Sequence, residues 1–316
     1  MTRGPARKRA LVIGAQGFVG KHLVPFLRSQ GDVVLEATRE KDGAGSFGLD
    51  VVDRDAAVRV IAEAQPDVVY HLAAMSFVPD SQARPLAAFQ VNCQGALNVL
   101  EGVRRAPGEP RVIFVSTGEV YGLVRPEEVP VVEDQPLDPR NPYAGAKAAL
   151  ELTLRGLRGI PATPDFVIAR SFNHTGPGQS PLFVCSDFAR QVARVEAGLA
   201  EPVIKVGNLE ARRDFCDVRD VVRAYRLLAE HGESGQVYNV ASGQHRAIRD
   251  VLDYLRSRVS AEIRVEVDPS RLRPSDMPVF AGDVSRLRDC TGWEPRFAFE
   301  ETLDDLLASW RDAIRH

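Results

Sequence analysis

The sequence predicts an α/β protein, a Rossmann-type doubly wound parallel sheet with a smaller C-terminal cap laid over it. Three observations predict this. Short apolar runs alternate with helix-period segments through the first half, three glycines follow the first run, and from about residue 172 the chain changes to irregular Gly- and Pro-rich stretches.

The runs are RALVIG (9–14), DVVLEAT (32–38), DVVYHLA (67–73), RVIFVST (111–117) and DFVIAR (165–170). They are apolar on both faces, which is what a parallel strand covered above and below requires. Helical patterns at 53–64 and 84–105 supply crossovers. Pro25 removes a donor inside the helix expected after Gly20 and predicts a kink there. NHTGPGQSP then opens the cap, followed by a helical stretch at 185–198, the short run PVIKVG and the segment ARRDFCDVRDVV. QVYNVA (236–241) resumes the α/β rhythm, and a last helix is expected from about residue 300. The expected division is 1–172 with 212–250 for a dinucleotide-binding domain, and 173–211 with 251–316 for the cap.

With 316 residues and 44% hydrophobic content the chain can bury a large core. A net charge of −3, with alternating signs, leaves no basic face for nucleic acid. Cys93, Cys185, Cys216 and Cys290 lie far apart without a C-x-x-C pair, and the six histidines are scattered, so neither a disulfide framework nor a metal site is expected. No apolar run approaches the roughly 18 residues of a membrane span. The basic start MTRGPARKRA runs into LVIGAQG, which breaks at glycine too early for a signal segment, so a cytoplasmic location is expected. Lysine is scarce: Lys8, Lys21, Lys41, Lys147 and Lys205 are the five among 40 basic residues. A lysine kept in so Arg-biased a chain is a candidate for chemistry.

GAQGFVG places Gly14, Gly17 and Gly20 between the first strand and its helix. The first allows the turn, the second lets backbone N–H groups approach a pyrophosphate, and the third lets helix pack on strand. Gln16, Phe18 and Val19 share that turn and are expected to touch the cofactor. The second strand ends Glu36-Ala37-Thr38-Arg39. Thr38 and Arg39 suit a 2′-phosphate and favour NADP(H); Glu36 could serve a ribose diol and keeps NAD(H) open. Asp50 and Val51 could hold the adenine edge and face, and Leu72, Ala73 and Ala74 fall on the nicotinamide side. His71 reads as a packed structural histidine.

Asn141-Pro142 is a helix start, with asparagine as cap and proline at the first position, so Tyr143 and Lys147 lie four apart on one face. A lysine ammonium beside a tyrosine favours the phenolate and fits it for proton transfer. Thr117, at the end of RVIFVST, can bond the same substrate oxygen. Glu119, in FVSTGEVYG, can act as a base on carbon or as a substrate contact, and its position alone does not choose.

GAQGFVG, STGEVYG and YAGAK in this order resemble the extended short-chain dehydrogenases/reductases that act on nucleotide sugars, over essentially the whole chain. The resemblance implies a catalytic set of Thr117, Tyr143 and Lys147, with Asn92 supporting the lysine through water. It implies substrate contacts from Ser76, Glu119, Asn173 in SFNHTGPGQ, Arg213 in ARRDF, and Arg273 and Asp276 in RPSD. It also implies a homodimer built on helices near 84–105 and 141–159. Family members that remove water from GDP-mannose carry a similar Ser-Thr-x-Glu-x-Tyr-Gly run, but so do related 4-ketoreductases. The SFNHTGPGQ and IKVGNLEARRDFCDVRDVVRAY segments, with Phe215 where the dehydratases usually have tryptophan, look more like the reductases. The resemblance therefore implies reduction of the C4 ketone of GDP-4-keto-6-deoxymannose, with a 4,6-dehydratase or a 4-epimerase as the alternative.

Overall fold

The computed structural model describes residues 7–41, 43, 45–272 and 277–315. Arg273 and Asp276 lie outside the described residues. The first half runs β1 (Arg9–Ile13), α1 (Phe18–Ser29), β2 (Val33–Thr38), β3 (Ser46–Gly48), α2 (Arg54–Ala64), β4 (Val68–His71), α3 (Val78–Ala83), α4 (Pro85–Phe89), α5 (Gly95–Arg105), β5 (Arg111–Thr117) and α6 (Pro142–Gly156). It continues with β6 (Phe166–Ser171), β7 (Asn173–Thr175), α7 (Val184–Glu196), β8 (Val203–Val206), β9 (Arg212–Asp217), α8 (Val218–His231), β10 (Val237–Val240) and β11 (His245–Ala247). The last elements are α9 (Ile248–Ser257), β12 (Arg264–Val267), β13 (Val279–Phe280), α10 (Ser285–Thr291) and α11 (Phe299–Arg315). A single π-turn, Gln90–Gln94, joins α4 to α5. Pro25 sits inside α1 without ending it.

Seven strands form one parallel sheet in the order β10-β6-β5-β4-β1-β2-β3. Successive residues of a strand point to opposite faces, so an apolar run feeds two cores at once. Ala10 and Val12 join Val68, Tyr70, Ile113 and Val167 on the face covered by α1 and α8. Leu11 and Ile13 join Val69, Val112, Phe114 and Ile168 on the face covered by α2, α5 and α6. This is the doubly wound arrangement that the strand pattern implied. The strand order reverses between β1 and β4, and a crevice opens at such a reversal beyond the carboxyl ends of the strands.

A smaller sheet, with β11, β9 and β13 in order and β7 also paired to β9, lies beside a two-stranded ribbon of β8 and β12. Helices α7, α9 and α11 cover it around Phe188, Val192, Leu252, Leu255 and Leu306. Two details differ from the expected division. Strands β9 and β11, within 212–250, pair in the smaller sheet, whereas Leu287 of α10 and Trp293 pack in the core of the large one. The reason is covalent: only Phe172 separates β6 from β7, so β7 leaves the large sheet at once and recruits β9 as its partner.

Candidate active site

The turn after β1 is built for close approach. Gly14 has φ +90°, and a Cβ there would stand 2.8 Å from the backbone nitrogen of Ala73, in the loop that follows β4. A Cβ on Gly20 would lie 2.5 Å from the carbonyl oxygens of Gly14 and Ala15. The two loops at the sheet reversal therefore touch through backbone alone, with the N-terminus of α1 opening at Phe18 beside them. A dinucleotide pyrophosphate fits such a cradle, since free N–H groups and the helix dipole both favour an anion.

A pocket of about 290 Å³ runs from this cradle to the mouth of the cap. Gly14, Gly17, Phe18, Val19, Gly20, Leu72, Ala74, Ser76, Thr117, Glu119, Tyr143, Lys147 and Asn173 all line it. Gln16, Thr38, Arg39, Asp50, Val51, Ala73, Asn92 and Arg213 do not. Thr38 ends β2, where it is buried and donates its hydroxyl to the carbonyl of Glu40, while Arg39, the next residue, is exposed. Glu36 is paired with Arg28 of α1 at 2.7 Å, one residue pair short of the strand end. The pair is partly exposed, so it is a surface ion pair of modest strength. Asp50 is exposed; Val51 turns inward, and a Cβ on Gly95 would meet its methyl at 2.6 Å.

Thr117 closes β5 and caps the turn that follows, its Oγ1 accepting from the backbone N–H of Glu119 at 3.2 Å. Asn141 caps α6, its Oδ1 accepting from Ala144 N–H at 2.9 Å, with Pro142 at the first helical position. Tyr143 and Lys147 then follow one turn apart on the face turned to the pocket. Lys147 is buried, and its Nζ donates to the Val115 carbonyl at 2.7 Å. Burial pulls its pKa down to about 8, partly opposed by the nearby Glu151 carboxylate.

Tyr143 is pushed above the ordinary tyrosine range, first by burial and then by the charge of Glu119, with the Thr117 hydroxyl working the other way. The expected lowering by Lys147 is not among the influences on this phenol, whose shift is set by burial and a facing carboxylate. Asn92 orders the loop after β4: its amide accepts from Met75 N–H at 2.8 Å and donates to the Met75 carbonyl at 3.1 Å. His71 is fully buried against the edge of Phe114, and burial lowers its pKa to about 3, so it is a neutral core residue.

Behind the pocket a buried polar network braces the same elements. Arg170 of β6 grips Glu151 of α6 with contacts of 2.6 and 2.9 Å, and also donates to the Tyr121 hydroxyl and the Glu133 carbonyl. Ser116 donates to the same Glu151 at 2.5 Å. On the cap side Arg213 donates to the carbonyl of Met277, next to the segment 273–276. Residues that the sequence had not singled out also line the pocket: His174 is stacked on Phe18 with centroids 6.0 Å apart, and Gln179 holds the His174 carbonyl at 2.8 Å. Their signal was the NHTGPGQSP stretch itself, read only through its asparagine.

A glycine cradle at a sheet reversal, set against a Thr-Tyr-Lys group at the mouth of a cap, defines an extended short-chain dehydrogenase/reductase. Within that class the chain belongs to the GDP-mannose 4,6 dehydratase family, whose model matches residues 11–306. It is 36% identical to GDP-6-deoxy-D-mannose reductase of Pseudomonas aeruginosa over 98% of this chain and 99% of that one. Identity to a GDP-mannose 4,6-dehydratase of Yersinia enterocolitica is 27%, over 95% and 93% of the two chains. The solved structure of RMD from Pseudomonas aeruginosa complexed with NADPH superposes with a TM-score of 0.87 at 34% identity, covering 96% of this chain and 99% of that one.

Proposed function

We propose that this protein reduces the C4 ketone of GDP-4-keto-6-deoxymannose with NADPH, giving GDP-6-deoxymannose (GDP-rhamnose). The observation that carries this reading is the wall of one pocket, where Thr117, Tyr143 and Lys147 stand together beside the glycine cradle, in a chain 36% identical to a GDP-6-deoxy-D-mannose reductase. Ketone reduction needs a proton donor at the carbonyl oxygen, and a tyrosine phenol in the pocket can be that donor. The greater identity to the reductase than to the dehydratase supports the same choice.

A bound nicotinamide cofactor supplies the hydride to C4. Tyr143 gives its proton to the C4 oxygen as that oxygen gains charge, and takes a proton back from solvent afterwards. Thr117 offers its hydroxyl to the same oxygen. Lys147, anchored on the Val115 carbonyl, would hold a ribose hydroxyl of the cofactor with its ammonium. Arg39 would meet a 2′-phosphate, in keeping with NADPH over NADH. Asn173 and Ser76 line the end of the pocket nearest the cap and serve the sugar diphosphate with Arg213 and, in the segment outside the described residues, Arg273; Asp276 serves a ribose.

We also propose a cytoplasmic homodimer. Leu86 and Phe89 of α4 and Leu152 of α6 are exposed apolar residues on the helices implied for a four-helix interface. Light scattering on the purified protein tests the dimer. Among the described residues no helix is long and apolar enough to cross a membrane.

The reaction is tested by following absorbance at 340 nm with protein, NADPH and the 4-keto sugar, then identifying the sugar product. Stoichiometric NADPH loss with a 6-deoxyhexose product is expected. Glu119 in the pocket favours one second reading, a 4,6-dehydratase in which it is the base on carbon. Conversion of GDP-mannose to the 4-keto sugar without net cofactor use would establish that reading instead.

A further inference from the structure

We infer that Asn141 is a positioning residue that holds Glu119 as a fixed hydrogen-bond acceptor for the sugar, in addition to capping the helix that carries Tyr143. The inference rests on the GDP-sugar reading above and deepens it.

One amide does two jobs at once. Its Oδ1 accepts from Ala144 N–H at 2.9 Å, and its Nδ2 donates to Oε2 of Glu119 at 2.7 Å. Glu119 is thus restrained at both ends, its backbone N–H by Thr117 and its carboxylate by Asn141. Asn141 stands two residues before Tyr143, so the acceptor and the proton donor are tied to the same helical turn across 22 residues of chain. A carboxylate has two oxygens and about four acceptor sites, so the bond from Asn141 to Oε2 leaves acceptor capacity on Glu119, which lines the pocket. A hydrogen bond to an ionised group is also shorter and stronger than a neutral one, so the restraint is worth more to the site than to the fold.

The cap and the clamp can be separated. Serine caps a helix about as well as asparagine does, but its hydroxyl is too short to reach across to Glu119 as well. In Asn141→Ser, melting temperature and NADPH affinity are therefore expected to stay as in wild type. KM for the 4-keto sugar is expected to rise roughly ten-fold, the loss of one hydrogen bond to a charged group, with a smaller change in kcat. Glu119→Gln is expected to raise KM as well, and the double variant Asn141→Ser/Glu119→Gln to be no worse than Glu119→Gln alone, because Asn141 acts through Glu119.

A wild-type KM in Asn141→Ser would overturn the inference. So would a lowered melting temperature with additive effects in the double variant, which is the behaviour of a helix cap and nothing more. If the wild-type protein oxidises no NADPH with the 4-keto sugar, the functional reading fails by itself. The Asn141 claim is then decided by calorimetric affinity for GDP-mannose in the same four proteins, with the same non-additive pattern expected and additivity overturning it.

Discussion

Lys147 Nζ donates to the carbonyl oxygen of Val115 at 2.7 Å, so the ammonium of the catalytic helix is anchored on the strand that ends in Thr117. The anchor fixes the lysine but does not solvate it, and burial brings its pKa to about 8. A lysine that must be cationic to hold a ribose loses that charge as pH rises through this value. NADPH affinity, and with it kcat/KM, is expected to fall above about pH 8, measured by fluorescence titration across pH 6–10. Lys147→Arg, cationic throughout that range, should bind more weakly overall but without the alkaline fall.

Tyr143→Phe removes the proton donor and leaves the ring. Turnover is expected to drop by roughly 10²-fold or more, while NADPH affinity stays close to wild type. Stopped-flow absorbance gives the first quantity and equilibrium titration the second. Turnover near the wild-type rate would take Tyr143 out of the mechanism.

Gly20→Ala places a methyl group 2.5 Å from two backbone oxygens of the cradle. Neither oxygen belongs to a flexible side chain, so the turn itself must open. NADPH binding is expected to be lost or severely weakened, with the sheet still formed by circular dichroism, since α1 packs on the sheet through Leu23, Val24 and Leu27 as well.

Arg170 and Glu151 are both fully buried, and each is the main countercharge of the other. Removing one alone strands the other in the core. Arg170→Met or Glu151→Gln is expected to cost about 3–5 kcal/mol in urea unfolding. Replacing both together by Met and Leu should recover much of that loss, because the uncompensated charge disappears.

Much of this was legible in the chain because it is local chemistry. The strands of the large sheet, the three glycines, the Asn-Pro helix start and the Tyr-Lys spacing each need only their neighbours in sequence. What escaped depends on distant partners. The expected division put 212–250 with the large sheet, but β9 pairs with β7, which leaves β6 after one residue. Glu36 reads as a carboxylate near the strand end, and nothing around it in sequence shows that Arg28 of α1 pairs with it. Asn141 reads as a cap, and nothing within the stretch shows that its other end reaches Glu119. The pKa of Tyr143 likewise needed the depth of the pocket, which spacing does not encode.

The chain passes between the two layers several times, and the crossings are short: Phe172 alone joins β6 to β7, and Asp217 both ends β9 and caps α8. Sugar recognition is therefore not a cassette that recombination could exchange in one piece. A transplanted block would sever strands of both sheets at their junctions. In this architecture a new substrate has to be reached by point changes along the pocket wall, each made without disturbing the thread that stitches the layers together.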